Sequence, residues 1–314
     1  MFPSAFTQKA LGNIGLTFFS SPRECLFVAT RAMAKLTISG AEDSEEDAAG
    51  TTELSFSQNS DCKKKFRAFR PRDVLLSSYP KCDSKIVDII VWKLLYPLSN
   101  LPPRNNMTNR YLIPIEMQDG VFPKNSPRIL KTYLPFHQLP FHKRSKYIYV
   151  LRSPWKACIS YYKFLKLTQA ISESFEEFFQ LFLEGELGYG CYFKHISPWI
   201  KRLEESNVLV LRHEHVKSNP RSAVFMIAAF LGECHLNRIL QSEDILDGIC
   251  AEKLRLPPTR RHVSVEEMPP CKLQCSEKQI QDLVKKISEE TEGTCVQYLW
   301  LSILKNRVIN RRTI

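Results

Sequence analysis

Two groups of side chains in this chain have the types and spacing to do chemistry on an anion. The first centres on Lys81, in Tyr79-Pro80-Lys81-Cys82-Asp83-Ser84-Lys85. Before it, Val74 to Ser78 reads as a short buried strand. After it, Ile86 to Leu95 reads as a helix that is apolar nearly all round and therefore buried. A strand, a tight loop carrying a lysine and a buried helix form an anion cradle. Loop amides and the helix N-terminus point at the ligand, and the ammonium adds a full charge. The spacing is not a Walker A motif, which needs two glycines and a Gly-Lys-Ser/Thr ending. The second group is Arg152 with Ser160. Arg152 follows the clearest strand, Tyr147 to Leu151, and offers a fork of donors suited to phosphate. Ser160 lies two helical turns further on, so the two can face one direction. A further short strand reads over Arg128 to Lys131. The plainer reading makes Lys81 and Lys85 solvated loop lysines and Arg152 a surface residue on a strand-to-helix turn.

The elements around these groups alternate. Further strands and helices are expected at Asn207 to Leu211 and at Pro220 to Leu231, the latter ending at Gly232. Pro154 suits the first turn of a helix. Ser174-Phe-Glu-Glu177 and Ser276-Glu-Lys-Gln279 read as capping boxes, and residues 295–306 as a last helix. Residues 97–127 hold prolines and asparagines and read as a long loop. Buried strands alternating with helices predict an α/β fold, a three-layer parallel sheet flanked by helices. In such a fold the ligand lies beyond the carboxyl ends of the strands.

Taken in order, the motifs resemble those of the cytosolic sulfotransferases. These enzymes move a sulfuryl group from 3′-phosphoadenosine 5′-phosphosulfate (PAPS) to a hydroxyl or amine on a P-loop-like fold. Their nucleotide loop reads Tyr-Pro-Lys-Ser/Cys-Gly-Thr-Thr-Trp. Here the first four positions are kept, while Asp83 replaces Gly, Ser84 and Lys85 replace the two Thr, and Ile86 replaces Trp. Asp83 brings negative charge toward a phosphate, a repulsion on the order of 3 kcal/mol per unit charge at about 5 Å and an effective dielectric of about 20. Lys85 can offset it, and Ser84 keeps a hydroxyl. Pro127-Arg-Ile-Leu-Lys-Thr-Tyr-Leu-Pro135 is similar to the family's Pro-Arg-x-x-Lys-Thr-His-Leu-Pro, with Tyr133 at the position of the catalytic base. An unperturbed tyrosine titrates near 10 and is neutral at pH 7. Losing a positioned base costs about 10²–10⁴ in rate. His137 and His142 lie nearby in sequence. Arg152 to Lys163 resembles the segment whose Arg and Ser hold the 3′-phosphate, and Gly188 to Trp199 resembles a further family segment, which implies that Tyr189 and Tyr192 approach the nucleotide or the acceptor. Glu214 falls where the family has Tyr-Glu-Asp.

Beyond Gly232 the likeness weakens. Ala251 takes the place of a phenylalanine that stacks on adenine, and Arg260-Arg261-His262 stands in for the 3′-phosphate clamp. The resemblance therefore implies a divergent member with degraded motifs. Lys81, Lys131 and Tyr133 would be its catalytic residues. Lys81, Cys82, Asp83, Ser84, Lys85, Arg152, Ser160 and Tyr189 would surround PAPS. The acceptor would be a small phenol, amine or sterol, with a homodimer as the oligomer, a cytoplasmic location, and no metal or membrane. The alternative is an inactive descendant that binds an adenosine phosphate or a partner without turnover.

Composition agrees with a globular protein. The chain has 314 residues, 44% hydrophobic and 25% charged, enough for a large core. Its net charge of +11 is uneven: residues 1–60 carry −3 and the remainder +14. A basic body suits a polyanionic ligand. The run Lys63-Lys64-Lys65, Arg67, Arg70 and Arg72 raises a third reading, a nucleic-acid or anion binder, although no nucleic-acid motif accompanies it. Residues 1–61 read as an extension, loosely like a transit peptide and then acidic and disordered. Residues 62–314 read as a single domain. Cys158, Cys191, Cys234 and Cys250 sit in apolar segments and read as buried reduced thiols. Neither the pair Cys271 and Cys275 nor the pair His213 and His215, flanking Glu214 on a loop edge, completes a zinc set.

Overall fold

The computed structural model describes residues 69–82, 85–97, 115, 127–252 and 275–311. The extension over 1–61, the run Lys63 to Arg67, Asp83, Ser84, most of the 97–127 loop, Arg260 to His262 and Cys271 lie outside the described residues.

Four strands form one parallel sheet: β1 (Val74–Ser78), β2 (Ile129–Thr132), β3 (Lys146–Leu151) and β4 (Val208–Arg212), in the order β2-β1-β3-β4. β1 is central, with Val74 opposite both Ile129 and Lys146, and Leu151 of β3 is opposite Arg212 of β4. The strand expected from Arg128 starts one residue later, because the Arg128 side chain is drawn into a buried ion pair with Asp73.

The strands are buried on both faces, which is why they read as apolar runs rather than alternating ones. Side-chain alternation divides them between two cores. Val74, Leu76, Ile129, Ile148, Val150, Leu209 and Leu211 face one way. They pack on α1 (Lys85–Leu95), α5 (His213–Ser218), α6 (Pro220–Leu231), α7 (Glu233–Gln241) and α8 (Glu243–Glu252). Leu75, Leu130, Tyr147, Tyr149 and Leu151 face the other way. Their partners are α2 (Pro154–Leu167), α3 (Phe175–Glu184), α4 (Tyr192–Ile200), α9 (Glu277–Glu290) and α10 (Cys295–Arg311). The result is three layers, helices on a parallel sheet on helices.

Local signals behave as their chemistry dictates. Ser174 and Glu177 close a reciprocal capping box on α3, and Ser276 and Gln279 do the same on α9. Gly185 ends α3 at φ 82°, and a Cβ there would lie 2.6 Å from the Cys191 Cβ, so only glycine fits. Two expectations are corrected. His213 and His215 lie on a six-residue helix rather than a loop edge, because His215 Nε2 reaches Ser222 Oγ at 3.1 Å and ties α5 to α6. Cys234 is exposed, and Cys191 and Cys250 are only half-buried, because α4, α7 and α8 turn those positions away from the centre of either core. Among the described residues no helix is long and apolar enough to cross a membrane.

Candidate functional site

The chain leaves β1 toward β2 on one side, and leaves β3 toward β4 on the other. The two connections diverge, opening a crevice at the carboxyl ends of β1 and β3, where α/β sheets bind ligands. Lys81 follows β1 and Arg152 follows β3, so the topology brings them to one place. Arg152 Nη1 donates to the Lys81 carbonyl at 2.6 Å. Arg152 Nε is buried and has no hydrogen-bond partner among the described residues. A guanidinium edge left without a partner in a crevice is costly unless an acceptor arrives.

Lys81 adopts φ 63°, a left-handed conformation that costs a non-glycine residue about 1–2 kcal/mol. The turn is closed by the Cys82 amide donating to the Tyr79 carbonyl at 3.0 Å. The Lys81 ammonium lies 4.2 Å from the centre of the Phe164 ring on α2. Cys82 is buried, whereas Lys85, the first residue of α1, is exposed. Beneath the loop, Tyr79 is wholly buried among Tyr161, Phe182, Tyr192 and His195, and its hydroxyl donates to the Gly190 carbonyl at 3.1 Å.

The Arg152 side is held from two directions. The Tyr192 hydroxyl donates to the Arg152 carbonyl. Tyr192 is therefore wholly buried as a support, and does not face a ligand as its sequence position suggested. Glu214, at the start of α5, accepts the Ser153 amide at 3.1 Å and hydroxyl at 2.6 Å, with the Lys156 ammonium 3.8 Å away. Burial pushes the Glu214 carboxyl upward, but the Ser153 donors and Lys156 outweigh it and hold the group below its ordinary range. Ser160 is buried on α2.

Tyr133 follows β2 and is half-buried, with its ring edge-on to that of Tyr189 at 5.9 Å. Two residues earlier, Lys131 has a partner of its own. The Lys131 ammonium points into the α1 layer and pairs with Asp88 Oδ2 at 3.0 Å, both side chains being 7% exposed. His142 stacks on Phe69 before β3, at the amino end of the sheet, and His137 lies exposed on a 3₁₀ turn, Phe136–Gln138. Ala251 is exposed on α8.

The structure thus joins Arg152 to the Lys81 carbonyl, pairs Tyr133 with Tyr189 beside the end of β2, and pairs Lys131 with Asp88 in the first turn of α1. Sequence reasoning gave no role to Asp88, Phe164 or His195, and none beyond a motif position to Glu214. Only His195 and Glu214 had a signal, their place inside matched segments. Among the described residues no group of three or more His, Cys, Asp or Glu could hold a metal ion.

A parallel α/β sheet with a basic crevice at its switch point defines a class of protein that handles anionic ligands. Comparison with known proteins narrows the class. Residues 71–255 match the sulfotransferase domain family, and the chain belongs to it. It is 31% identical over 201 residues to sulfotransferase 1B1 of Canis lupus familiaris, covering 57% of this chain and 64% of that one. It is 32% identical over 179 residues to sulfotransferase 6B1 of Mus musculus, covering 52% and 56%. The matched region therefore spans less than two thirds of these relatives' length. The fold is that of the mouse sulfotransferase SULT7A1 solved in complex with PAP, with a TM-score of 0.59 at 20% identity over 80% of this chain and 94% of that one.

Proposed function

We propose that this chain transfers a sulfuryl group from PAPS to the hydroxyl or amine of a small acceptor such as a phenol, amine or sterol. The observation that carries this reading is the Arg152 guanidinium, fixed on the Lys81 carbonyl with its buried Nε left without a partner among the described residues. That edge fits a phosphate oxygen, and the mouse relative of the same fold was solved with PAP.

In this reading Arg152 and Ser160 hold the 3′-phosphate. Cys82, Asp83, Ser84 and Lys85 surround the 5′-phosphate with loop amides and the Ser84 hydroxyl. PAPS supplies the activated sulfuryl group, and the protein supplies position and field. Lys81 stabilises the leaving oxygen as charge builds there. The Phe164 ring keeps its ammonium over the crevice meanwhile. Tyr133 takes the acceptor's proton, and Tyr189, whose ring meets it edge-on, lines the PAPS side. A tyrosine in that place is a weak general base and makes turnover slow.

A second reading, an adenosine-phosphate binder without turnover, is favoured by one specific observation. The Lys131 ammonium, a catalytic candidate by motif, is committed to Asp88 inside a core. Calorimetry with PAP separates the readings from a simple scaffold. Micromolar binding, weakened at least tenfold by Arg152→Ala, is expected, followed by sulfuryl transfer in an acceptor screen. Binding without transfer to any acceptor, from pH 6 to 10, would leave the second reading. No binding at millimolar PAP by protein shown to be folded would sink both.

A further inference from the structure

We propose that His195 is a positioning residue, one that fixes the backbone of Tyr133 at the exit of β2 and ties that exit to β1 and β3. The consequence for turnover rests on the sulfuryl-transfer reading above, but the geometry does not.

His195 lies on α4 and is 1% exposed. Its Nε2 is 2.9 Å from the Tyr133 carbonyl oxygen, and its Nδ1 is 2.9 Å from the Tyr149 hydroxyl. A carbonyl can only accept, so Nε2 carries the proton. Nδ1 then has a lone pair and accepts from Tyr149. The two partners select one neutral tautomer and one ring orientation. Burial pushes the imidazole down to about 4, so that tautomer persists at neutral pH. The ring also meets Tyr79 edge-on at 5.5 Å. A single side chain therefore touches the residue leaving β1, the residue leaving β2, and the middle of β3.

Tyr133 needs such a hold. The β1–β2 ladder ends at Thr132, opposite Ser77. The Leu134 amide donates to Thr132 Oγ1 at 3.1 Å, which closes the turn after Tyr133 without binding its carbonyl. Because Tyr133 is an edge residue between a ladder and a turn, its side chain direction follows its peptide plane. The His195 donor fixes that plane and so aims the phenol edge-on against Tyr189.

A core histidine that merely fills space would look similar in burial, so the test must read Tyr133 directly. We would measure amide exchange of the full chain by mass spectrometry and NMR in the parent, His195→Leu and His195→Gln. Leucine removes the donor, and glutamine can still donate to a carbonyl while accepting from Tyr149. Exchange at Tyr133 and Leu134 should accelerate about tenfold or more in the leucine variant, with β4 amides unchanged, and return toward the parent in the glutamine variant. With an active parent, kcat should fall about tenfold in the leucine variant, KM for PAPS should stay within about threefold, and glutamine should restore kcat. Unchanged exchange at Tyr133, uniform acceleration across the sheet, or no rescue by glutamine would overturn the proposal. If the leucine variant does not fold, ¹⁵N spectra of the parent ring decide: a proton on Nδ1 rather than Nε2 overturns it. A parent that turns over no acceptor, yet shows the expected exchange pattern, would refute the sulfuryl-transfer reading and leave this one standing.

Discussion

The two ends of one sheet are built differently. At the amino end the buried and half-buried charges are answered by protein. Arg128 grips Asp73 through Nε at 3.0 Å and Nη2 at 2.5 Å, and the Arg70 amide adds a third bond to the same carboxylate at 2.7 Å. Lys146 donates to the Phe230 carbonyl at 2.5 Å, and Asn207 donates to the His142 and Ser145 carbonyls, each at 3.2 Å. At the carboxyl end Lys81 sits at φ 63° and Arg152 Nε has no partner among the described residues. The contrast shows a division of labour. Left-handed backbone occurs at both ends, at Arg72 with φ 83° as at Lys81, so what sets the carboxyl end apart is the unanswered Arg152 donor, while the saturated end locks the register of β1, β2 and β3.

The largest expected effect breaks the saturated end. Arg128→Ala leaves Asp73 buried and unpaired, and should cost roughly 3–5 kcal/mol in urea unfolding. If the ends are separable, PAP affinity at a temperature where the variant is folded stays within about twofold of the parent. An equal loss of affinity would show that the crevice depends on the lock directly.

The complementary break is at the open end. Lys81→Met keeps most of the stem but removes the ammonium, and kcat should fall by about 10²–10³. Unfolding free energy should move by less than about 0.5 kcal/mol, because the half-buried group lies outside both cores. A stability loss as large as that of Arg128→Ala would contradict the division of labour.

Acid should sharpen the comparison next. The His195 imidazole is held at about 4 when folded, against about 6.5 when free. Between those values the unfolded chain takes up a proton that the folded chain refuses. Stability is therefore complete above pH 6.5 and declines as pH falls toward 4, by on the order of 3 kcal/mol in total. His195→Gln should flatten that part of the stability–pH curve. An unchanged slope between pH 6.5 and 4 would assign the acid sensitivity elsewhere.

Much of this division was legible in the sequence, and the reason is local. Val74 to Ser78 and Tyr147 to Leu151 are buried on both faces, so hydrophobicity alone marks them, and Lys81 and Arg152 announce themselves at strand ends. What was not legible depends on strand order. Asp73 and Arg128 are 55 positions apart, and Lys131 and Asp88 are 43 apart. A period of two says that Lys131 faces away from Leu130, but not that an acid on α1 waits on that face. For the same reason Tyr133 looked like a substitution to be judged alone. Its hold, His195, comes from a helix 62 positions later. Motif matching found the segment around His195 without its purpose, because purpose lies in which strand exits the folded ring touches.

The smallest effect concerns the hinge between anchored and open structure. Glu214 fastens Ser153, the residue after Arg152, through two hydrogen bonds from one oxygen. Its carboxyl is held below the ordinary range, so its contribution is present above about pH 4.5 and is lost as pH falls through the lower folded value. Glu214→Gln keeps an acceptor for Ser153 and removes the charge. It should cost about 1 kcal/mol at pH 7, with the difference from the parent shrinking as pH falls through that lowered folded value. Because Ser153 starts α2, a loosened start also lets Arg152 drift, and PAP affinity should weaken about three- to fivefold at pH 7. A variant that loses stability but keeps full affinity would place Glu214 with the lock rather than with the crevice. It would also leave the Tyr192 hydroxyl and the Lys81 carbonyl as the contacts that hold Arg152 in place.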